Sequence, residues 1–238
     1  MSQIEWHAAL DRVEGYVAKI ATPSGFGTGF VFAYSGGGTI CCIATAAHLI
    51  GQAHLWEEPL RVTHHSSGKS VLLHAADRAV FLDEKVDSAA LVFQKGDLPF
   101  PPELLPVTPT GKVMRIANEV GWVGFPVMSQ HNLCFFSGRT SCWLAQEEAY
   151  LVDGVVINGV SGGPAFWPGV DGQVYLVGIV SAYIPNTQSG ASLPGLGVVR
   201  HVRQLQETIS LIQSLEQAQQ QQTPPSGVEG SEGERGGT

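Results

Sequence analysis

One serine of this chain stands in surroundings that could make it a nucleophile. Ser161 lies in the segment NGVSGGPAFW, residues 158–167, where three glycines and a proline surround it before bulky apolar residues resume. Glycine costs backbone entropy unless the chain needs a positive φ or a close approach. The segment is therefore either a sharp loop that presents the serine hydroxyl or a plain glycine-rich surface turn.

A serine hydroxyl is a weak nucleophile at neutral pH, so the first interpretation requires a nearby histidine as base. His48 has the most distinctive setting of the eight histidines, because it ends CIATAAHLI, where a β-branched run gives way to small residues. Small residues at 45–47 let the backbone turn tightly and would place the imidazole at a strand end. The other histidines fall in predicted loops or helices or have no distinctive setting: His7, His54, His64, His65, His74, His131 and His201.

The base in turn needs an orienting carboxylate, and Asp87 is the strongest candidate. It stands in EKVDSAALVF, at the entrance of an apolar strand. An acid in such a position is costly unless it has hydrogen-bond partners, and a histidine N–H would be one. Asp83 is typical of a solvated turn, while Asp153 and Asp171 precede glycines and are typical of turns as well.

Composition narrows the classes of function. The 238 residues are 44% hydrophobic and 14% charged, which fits a globular protein of one large or two small domains. The net charge is −8 without a basic cluster, so nucleic acid is not an expected partner. We find no signal peptide and no apolar run near the roughly 18 residues of a membrane span, so no membrane partner is expected.

The cysteines predict neither a metal site nor a disulfide framework. Cys41 and Cys42 are adjacent and point to opposite faces of a strand, and neither Cys134 nor Cys142 belongs to a Cys-x-x-Cys pair. We expect reduced thiols, no metal and a cytoplasmic location.

The elements that must position these residues are mostly strands. Short β-branched and aromatic runs fill residues 16–200, separated by glycine, proline, asparagine and aspartate, which predicts an all-β barrel or sandwich. The proline-rich stretch at about 97–110 reads as a linker between two halves, about 16–96 and about 111–200.

Helices are predicted at both ends of the strand region. Residues 1–15 carry an apolar stripe with a Ser2–Glu5 capping box, and residues 201–218 carry a second apolar stripe. Residues 219–238 are polar and glycine-rich, which predicts a disordered tail or a linker to a further part of the protein.

The order His48, Asp87, Ser161, in the motifs TAAH, VDSAALVF and GVSGGP, resembles the chymotrypsin-like serine proteases. The segment LVGIVSAY at 176–183 is similar to the strand that lines the substrate groove in that family. GTGFVF at 27–32 and GFPV at 124–127 are more similar to the bacterial HtrA/Deg-type trypsin-like peptidase domain, here without a PDZ domain. The resemblance implies two six-stranded antiparallel β-barrels, flanked here by the N-terminal and C-terminal helices.

The resemblance also implies a role for each residue. Ser161 matches the nucleophile, His48 the general base and then acid, and Asp87 the residue that fixes the histidine tautomer. The backbone N–H groups of Gly159 and Ser161 would form the oxyanion hole. Ser181 matches a small hydroxyl residue that hydrogen-bonds the triad aspartate, and no cofactor is required.

Position 160 departs from the family pattern. Digestive members have aspartate there, which pairs with a freshly cut N-terminus, and the HtrA-type branch usually has asparagine. Val160 can form no such ion pair. We therefore expect no activation by N-terminal cleavage, and control through loop ordering or a regulatory partner or fused sensor domain.

The specificity pocket is inferred from the same resemblance. Val155 matches its floor, Ser181, Ala182 and Tyr183 one wall, and Gly197 the opposite wall. A valine floor offers no charge for Arg or Lys, Tyr183 would narrow the slot and Gly197 would leave it open. This predicts cleavage after small or medium apolar residues.

Three functions fit the sequence. The first is an intracellular serine endopeptidase acting on proteins or peptides, whose organisation would suit a bacterial effector protease controlled by a partner or fused domain. The second is a catalytically silent two-barrel module that binds peptide and regulates a partner. The third is an esterase or acyl-transfer enzyme with the same triad, although the groove strand favours an extended peptide substrate.

Overall fold

The structure is a computed structural model that describes residues 5–109, 112–169, 171–186 and 193–222, the side chains of 182–186, 193–195 and 215–222 excepted. β-branched and aromatic runs form strands because such side chains pack well on a pleated surface. Within the described chain the strands are β1 (Val17–Thr22), β2 (Gly25–Ser35), β3 (Ile40–Thr45), β4 (Leu60–His64), β5 (Ser70–Leu73), β6 (Arg78–Asp83), β7 (Ser88–Gln94), β8 (Glu119–Gly124), β9 (Cys134–Leu144), β10 (Ala149–Asp153), β11 (Pro164–Pro168), β12 (Val174–Asn186) and β13 (Leu193–His201). The helices are α1 (Trp6–Val13), α2 (Ala47–Leu55) and α3 (Arg203–Gln222).

The N-terminal half is one antiparallel sheet in the order β5-β4-β1-β2-β3-β7-β6. It has seven strands where the sequence predicts six, and it is an open sheet rather than a closed barrel. Its edge strands β5 and β6 do not pair, and the side chain of Arg78, at the start of β6, contacts the end of β5. That guanidinium donates to the carbonyls of Leu73, at 2.8 Å, and Glu58, at 2.6 Å. A cavity of about 670 Å³ remains between these edges.

The C-terminal half is the closed six-stranded barrel that the sequence predicts, in the order β10-β13-β12-β11-β8-β9. All of its pairings are antiparallel. Trp122 and Tyr150 are fully buried inside it, and the Trp122 indole N–H donates to the Val155 carbonyl at 3.0 Å. The overall architecture is thus all-β with two β-halves, as expected from the sequence.

A long segment connects β7 to β8 and is held along its path. Tyr16 and Tyr34 donate from their hydroxyls to the carbonyls of Glu103, at 2.7 Å, and Pro101, at 2.5 Å. Further along, both the backbone N–H and the hydroxyl of Thr108 donate to the Leu176 carbonyl at 2.9 Å. These bonds tie the connection to both halves of the fold.

Two helices differ in extent from their predicted ranges, and one was not predicted. α1 spans Trp6–Val13 and is followed by a 3-10 turn, while Ser2 of the expected capping box lies outside the described residues. α2 was not predicted because its sequence AHLIGQAHL follows a β-branched run without a polar cap. Its buried residues Ala47, Ile50 and Ala53 recur every third position and pack on the first sheet.

The C-terminal helix begins and ends later than the sequence predicts. His201, expected in the helix, is the last residue of β13, where its buried Nδ1 accepts a hydrogen bond from the Arg203 N–H. α3 then continues to Gln222 rather than ending at 218, because glutamine is a good helix former and Pro224 is the first helix breaker. The rest of the predicted tail lies outside the described residues.

Within the described chain, no helix combines the length and the apolar character that a bilayer crossing requires.

Candidate active site

His48 and Asp87 meet at the start of α2, as the sequence predicts. His48 is the second residue of this helix, and Asp87 lies just before β7. The His48 Nδ1 lies 2.9 Å from Asp87 Oδ2, and the His48 backbone N–H donates to Oδ1 at 2.9 Å. The carboxylate therefore holds both the ring and the backbone of the same histidine. Asp87 adopts φ 52°, in the left-handed region that aspartate tolerates better than most residues.

A third donor reaches the carboxylate from the other half of the molecule. The Ser181 hydroxyl donates to Asp87 Oδ2 at 2.5 Å. Ser181 sits in a β-bulge of β12, since Val180 pairs with Val199 and Ala182 already pairs with Val198. A bulge re-aims the side chain of its extra residue, and here it directs the fully buried Ser181 toward the aspartate.

These contacts set the charge states of the pair. The hydrogen bond to Asp87 raises the pKa of His48 above 6.5, although partial burial opposes this shift. Burial alone would raise the pKa of Asp87, but the hydrogen bonds from His48 and Ser181 outweigh it and the pKa lies below 3.8. Asp87 is thus an anion at neutral pH, and it commits Nδ1 of the imidazole, which leaves Nε2 for chemistry.

Ser161 lies in a loop that docks between the two halves of the fold. The Ser161 carbonyl accepts from the Thr28 N–H of β2 at 2.9 Å, and the next N–H, of Gly162, donates to the Val180 carbonyl at 2.7 Å. Val180 is the neighbour of Ser181, which holds Asp87. The loop that carries the serine and the strand that orients the carboxylate are therefore joined by a hydrogen bond.

Glycine at 162 is what allows this docking. Its φ is +86°, and a Cβ there would lie 2.0 Å from the Thr28 carbonyl oxygen and 2.3 Å from the Thr45 hydroxyl. The loop thus packs directly against the end of β3, two residues before α2 begins with Ala47. Of the two interpretations of the segment NGVSGGP, the structure supports a tightly packed loop rather than a plain surface turn.

The two backbone donors expected to form an oxyanion hole belong to peptides that are held at their carbonyl ends. The Asn158 carbonyl accepts from the Val127 N–H at 2.8 Å, and the Val160 carbonyl accepts from the Gly163 N–H at 3.0 Å. In a planar trans peptide the N–H points opposite to the carbonyl. The N–H groups of Gly159 and Ser161 therefore point away from these anchors.

Val160 is a core residue of the second barrel. It is fully buried, and the space above Gly124 is taken up by its backbone and side chain, since a Cβ on Gly124 would lie 2.7 Å from the Val160 Cα. Position 160, where the resemblance leads us to expect a polar side chain, is thus filled by hydrophobic packing.

The residues expected to form the specificity pocket are only partly brought together. Val155 is 54% exposed at the surface, beyond the end of β10. Gly197 pairs with Tyr183 and Val152, and its free face is covered by Val156, because a Cβ there would lie 2.4 Å from a methyl of Val156. The side chains of Ala182 and Tyr183 lie outside the described part of the structure.

A cleft beside His48 and Asp87 was not predicted from the sequence. It has a volume of about 830 Å³ and adjoins both His48 and Asp87. Trp56, at the end of α2, is 68% exposed there, and the neighbouring Leu55 is also exposed. Two large exposed apolar residues shortly after the candidate base were the signal that could have located this cleft.

The described residues hold no cluster of three or more histidine, cysteine or acidic side chains that could bind a metal ion. None of the four cysteines, all within the described residues, forms a disulfide, and burial raises the pKa of Cys41 to about 12, with the neighbouring Cys42 adding to the shift.

Comparison with known proteins shows the fold but not a sequence family. No family model and no curated protein sequence matches this chain. Among solved structures, a serine endoprotease from Yersinia pestis is similar with a TM-score of 0.65 and 17% identity, over 89% of this chain and 68% of that one. The inactive form of a serine-to-alanine mutant of Rv3671c from M. tuberculosis H37Rv is similar with a TM-score of 0.60 and 18% identity, over 95% and 98%. The chain therefore has the two-barrel, trypsin-like serine protease fold, and the expected resemblance is confirmed at the level of fold.

Proposed function

We propose that this protein is a serine endopeptidase whose catalytic triad is His48, Asp87 and Ser161. The observation that carries the proposal is the chain of hydrogen bonds from Ser181 through Asp87 to the Nδ1 of His48, at 2.5 and 2.9 Å. These bonds commit one ring nitrogen of His48 and leave the other available. The proposal is further supported by the packing of the Ser161 loop against the end of β3, just before the helix that carries His48. A purely structural histidine would need no such arrangement at a half-exposed position.

The proposed mechanism follows from the separate roles of these groups. The Ser161 Oγ forms a bond to the substrate carbonyl carbon while His48 Nε2 takes its proton. Asp87 stays ionised and stabilises the imidazolium, which then protonates the leaving amine as the C–N bond breaks. Water then attacks the carbonyl carbon of the acyl-enzyme while His48 Nε2 takes its proton. His48 returns a proton to the Ser161 Oγ as the bond between this oxygen and the acyl group breaks. The N–H groups of Gly159 and Ser161 would bind the oxyanion, where one donor is worth roughly 3–4 kcal/mol of barrier.

The substrate we propose is an extended peptide with a small or medium apolar residue before the scissile bond. Val156 covers the face of Gly197 and brings no charge there, and Val155 beside it in sequence is also uncharged. The pocket would therefore be shallow and neutral. The exposed Trp56 and Leu55 offer additional apolar contact next to His48 for another residue of the same peptide.

Location and control belong to the same proposal. Four cysteines that form no disulfide fit a reducing compartment such as the cytoplasm. The buried Val160 offers no charge to a new N-terminus, so we propose regulation by a partner or fused domain rather than by N-terminal cleavage.

A peptide-library cleavage assay tests the proposed activity and specificity together. We expect the full chain to cleave after small or medium apolar residues, and Ser161→Ala to abolish cleavage. Ser210→Ala is the matched control, because Ser210 is an exposed serine on α3 whose hydroxyl only contacts its own helix, at the Gln206 carbonyl. Absence of cleavage by the intact chain would instead favour the silent peptide-binding module.

A further inference from the structure

One buried threonine makes two hydrogen bonds to the loop at 158–163, which carries the expected oxyanion-hole donors. Thr28, on β2, is fully buried. Its hydroxyl donates to the Gly159 carbonyl at 2.8 Å and accepts from the Phe125 N–H at 3.1 Å. Its backbone N–H donates to the Ser161 carbonyl at 2.9 Å. Thr28 therefore binds the carbonyl groups of both residues whose N–H groups would form the oxyanion hole.

The bond to Gly159 lies at the centre of the loop. The peptide between Gly159 and Val160 connects the two donor peptides, which are held at their own carbonyls by Val127 and Gly163. Among these anchors of the described loop, the Thr28 hydroxyl alone is a side-chain group, and the others are backbone N–H groups. The N–H of the same central peptide, that of Val160, donates to the Ile157 carbonyl at 3.1 Å, so replacement of the Thr28 side chain removes the one anchor of its carbonyl and leaves the N–H anchor and the donor peptides' own bonds in place.

Gly159 is the residue at which the loop could otherwise turn. Its φ is +92°, and a Cβ there would lie 2.1 Å from the Phe125 carbonyl oxygen. Glycine visits many backbone conformations at similar cost, so a glycine that must hold one of them needs an external constraint. The Thr28 hydroxyl supplies that constraint, since it links the Gly159 carbonyl to the backbone N–H of Phe125.

We propose that Thr28 is a positioning residue that keeps the oxyanion hole formed. An ion pair at position 160 cannot do this in this chain, because the residue there is Val160. The inference rests on the proposed peptidase function for its catalytic consequence. It further implies that the hole is formed before substrate binds, because every bond that Thr28 makes is internal to the protein.

The test measures saturation kinetics of labelling by an alkyl fluorophosphonate on the full chain. We expect Thr28→Val, which removes the hydroxyl but keeps the shape, to lower the maximal labelling rate roughly 10- to 100-fold, since loss of one oxyanion donor typically costs 100- to 1000-fold. The half-saturating probe concentration should change less than about twofold. Thr28→Ser, which retains the hydroxyl, should restore the rate to within about threefold of wild type.

Thr108→Val is the control for a purely structural effect. Thr108 is also buried, and its hydroxyl also donates to a backbone carbonyl at 2.9 Å, but that carbonyl belongs to Leu176 on β12 and not to the loop at 158–163. Both valine variants should lower the melting temperature, whereas only Thr28→Val should slow labelling. Equal labelling by Thr28→Val, Thr108→Val and wild type would overturn the inference.

A crystal structure of Thr28→Val keeps the inference testable if the wild-type chain is not labelled at all. That result would count against the proposed peptidase function and not against the role of Thr28. We expect the Gly159–Val160 peptide to be rotated in the variant and to keep its orientation in Thr108→Val. An unchanged peptide in Thr28→Val would overturn the inference independently of activity.

Discussion

At the scale of single residues, the pair of His48 and Asp87 predicts a pH profile. The hydrogen bond to Asp87 raises the pKa of His48 above 6.5, and only the unprotonated Nε2 can accept the Ser161 proton. We therefore expect the labelling rate to rise with pH through a midpoint above 6.5. The stabilising contact of protonated His48 with Asp87 changes in the opposite sense: it is complete below pH 6.5 and is lost as the pH rises through the folded-state pKa.

An NMR titration of the His48 ring, together with the pH dependence of labelling, checks this prediction. The pKa of His48 from the NMR titration and the midpoint of the labelling profile should agree. Asp87→Asn should lower the pKa of His48, because the asparagine carries no charge. A midpoint at or below 6.5 in the wild-type chain would contradict the coupling of this pair.

Asp87 and Ser181 should differ in the size of their effects. Asp87→Asn removes the group that fixes the tautomer of His48, so we expect labelling to slow by roughly 10⁴-fold. Ser181→Ala removes one of the donors to the carboxylate, at 2.5 Å, and leaves His48 in place, so we expect a loss of about tenfold. Labelling rates of the two purified variants measure both. An Asp87→Asn variant as fast as Ser181→Ala would exclude Asp87 from the triad.

At the scale of elements, the loop at 158–163 should tolerate no side chain where it docks. Gly162→Ala would place a Cβ 2.0 Å from the Thr28 carbonyl oxygen, at a φ of +86°. We expect it to reduce labelling more than about 100-fold and to lower the melting temperature. Gly68→Ala is the control that separates the effect of backbone strain from that of a steric clash. Gly68 also has a positive φ, of +68°, but nothing lies within 4 Å of the position that its Cβ would take. It should lose a little stability and keep the wild-type labelling rate.

The elements also show where prediction from sequence succeeds. The alternating apolar runs located the strands of the closed barrel, because strand formation depends mainly on local side-chain type and spacing. The residues His48, Asp87 and Ser181 were identifiable from motifs, and the structure brings them together at 2.5 to 3.0 Å. α2 was missed because its apolar residues follow β3 without a break and its N-cap position is alanine.

Other features depend on contacts that local sequence does not reveal. Thr28 lies 131 residues from the Gly159 carbonyl that it binds, and a threonine in a strand is otherwise unremarkable in sequence. Gly197 was expected to leave a slot open, but Val156 covers it after the end of β10. Such details depend on how the two β-halves pack, and the spacing of apolar residues along the sequence does not reveal that packing.

At the scale of the whole molecule, α3 ties the two halves together. The helix follows β13 of the closed barrel, yet its buried residues Leu205 and Ile212, together with Val202 just before it, pack with Phe30 and Phe32 of the first sheet. Leu205→Ala should therefore lower the free energy of unfolding by about 2–5 kcal/mol, as for other buried leucines.

Urea denaturation of the full chain measures this effect. Leu211→Ala is the matched control, because Leu211 is half-exposed on the same helix and should change stability by less than about 0.5 kcal/mol. Similar losses for the two variants would show that the packing of α3 does not stabilise the junction.

The most direct test of the central claim identifies the residue that a fluorophosphonate modifies. In this reaction the Ser161 Oγ forms a bond to phosphorus, fluoride leaves and His48 takes the serine proton. Mass spectrometry of the labelled and digested chain should locate one adduct on Ser161, and His48→Ala should abolish it. An unmodified chain, an adduct on another residue, or equal labelling of His48→Ala would contradict the proposed serine peptidase.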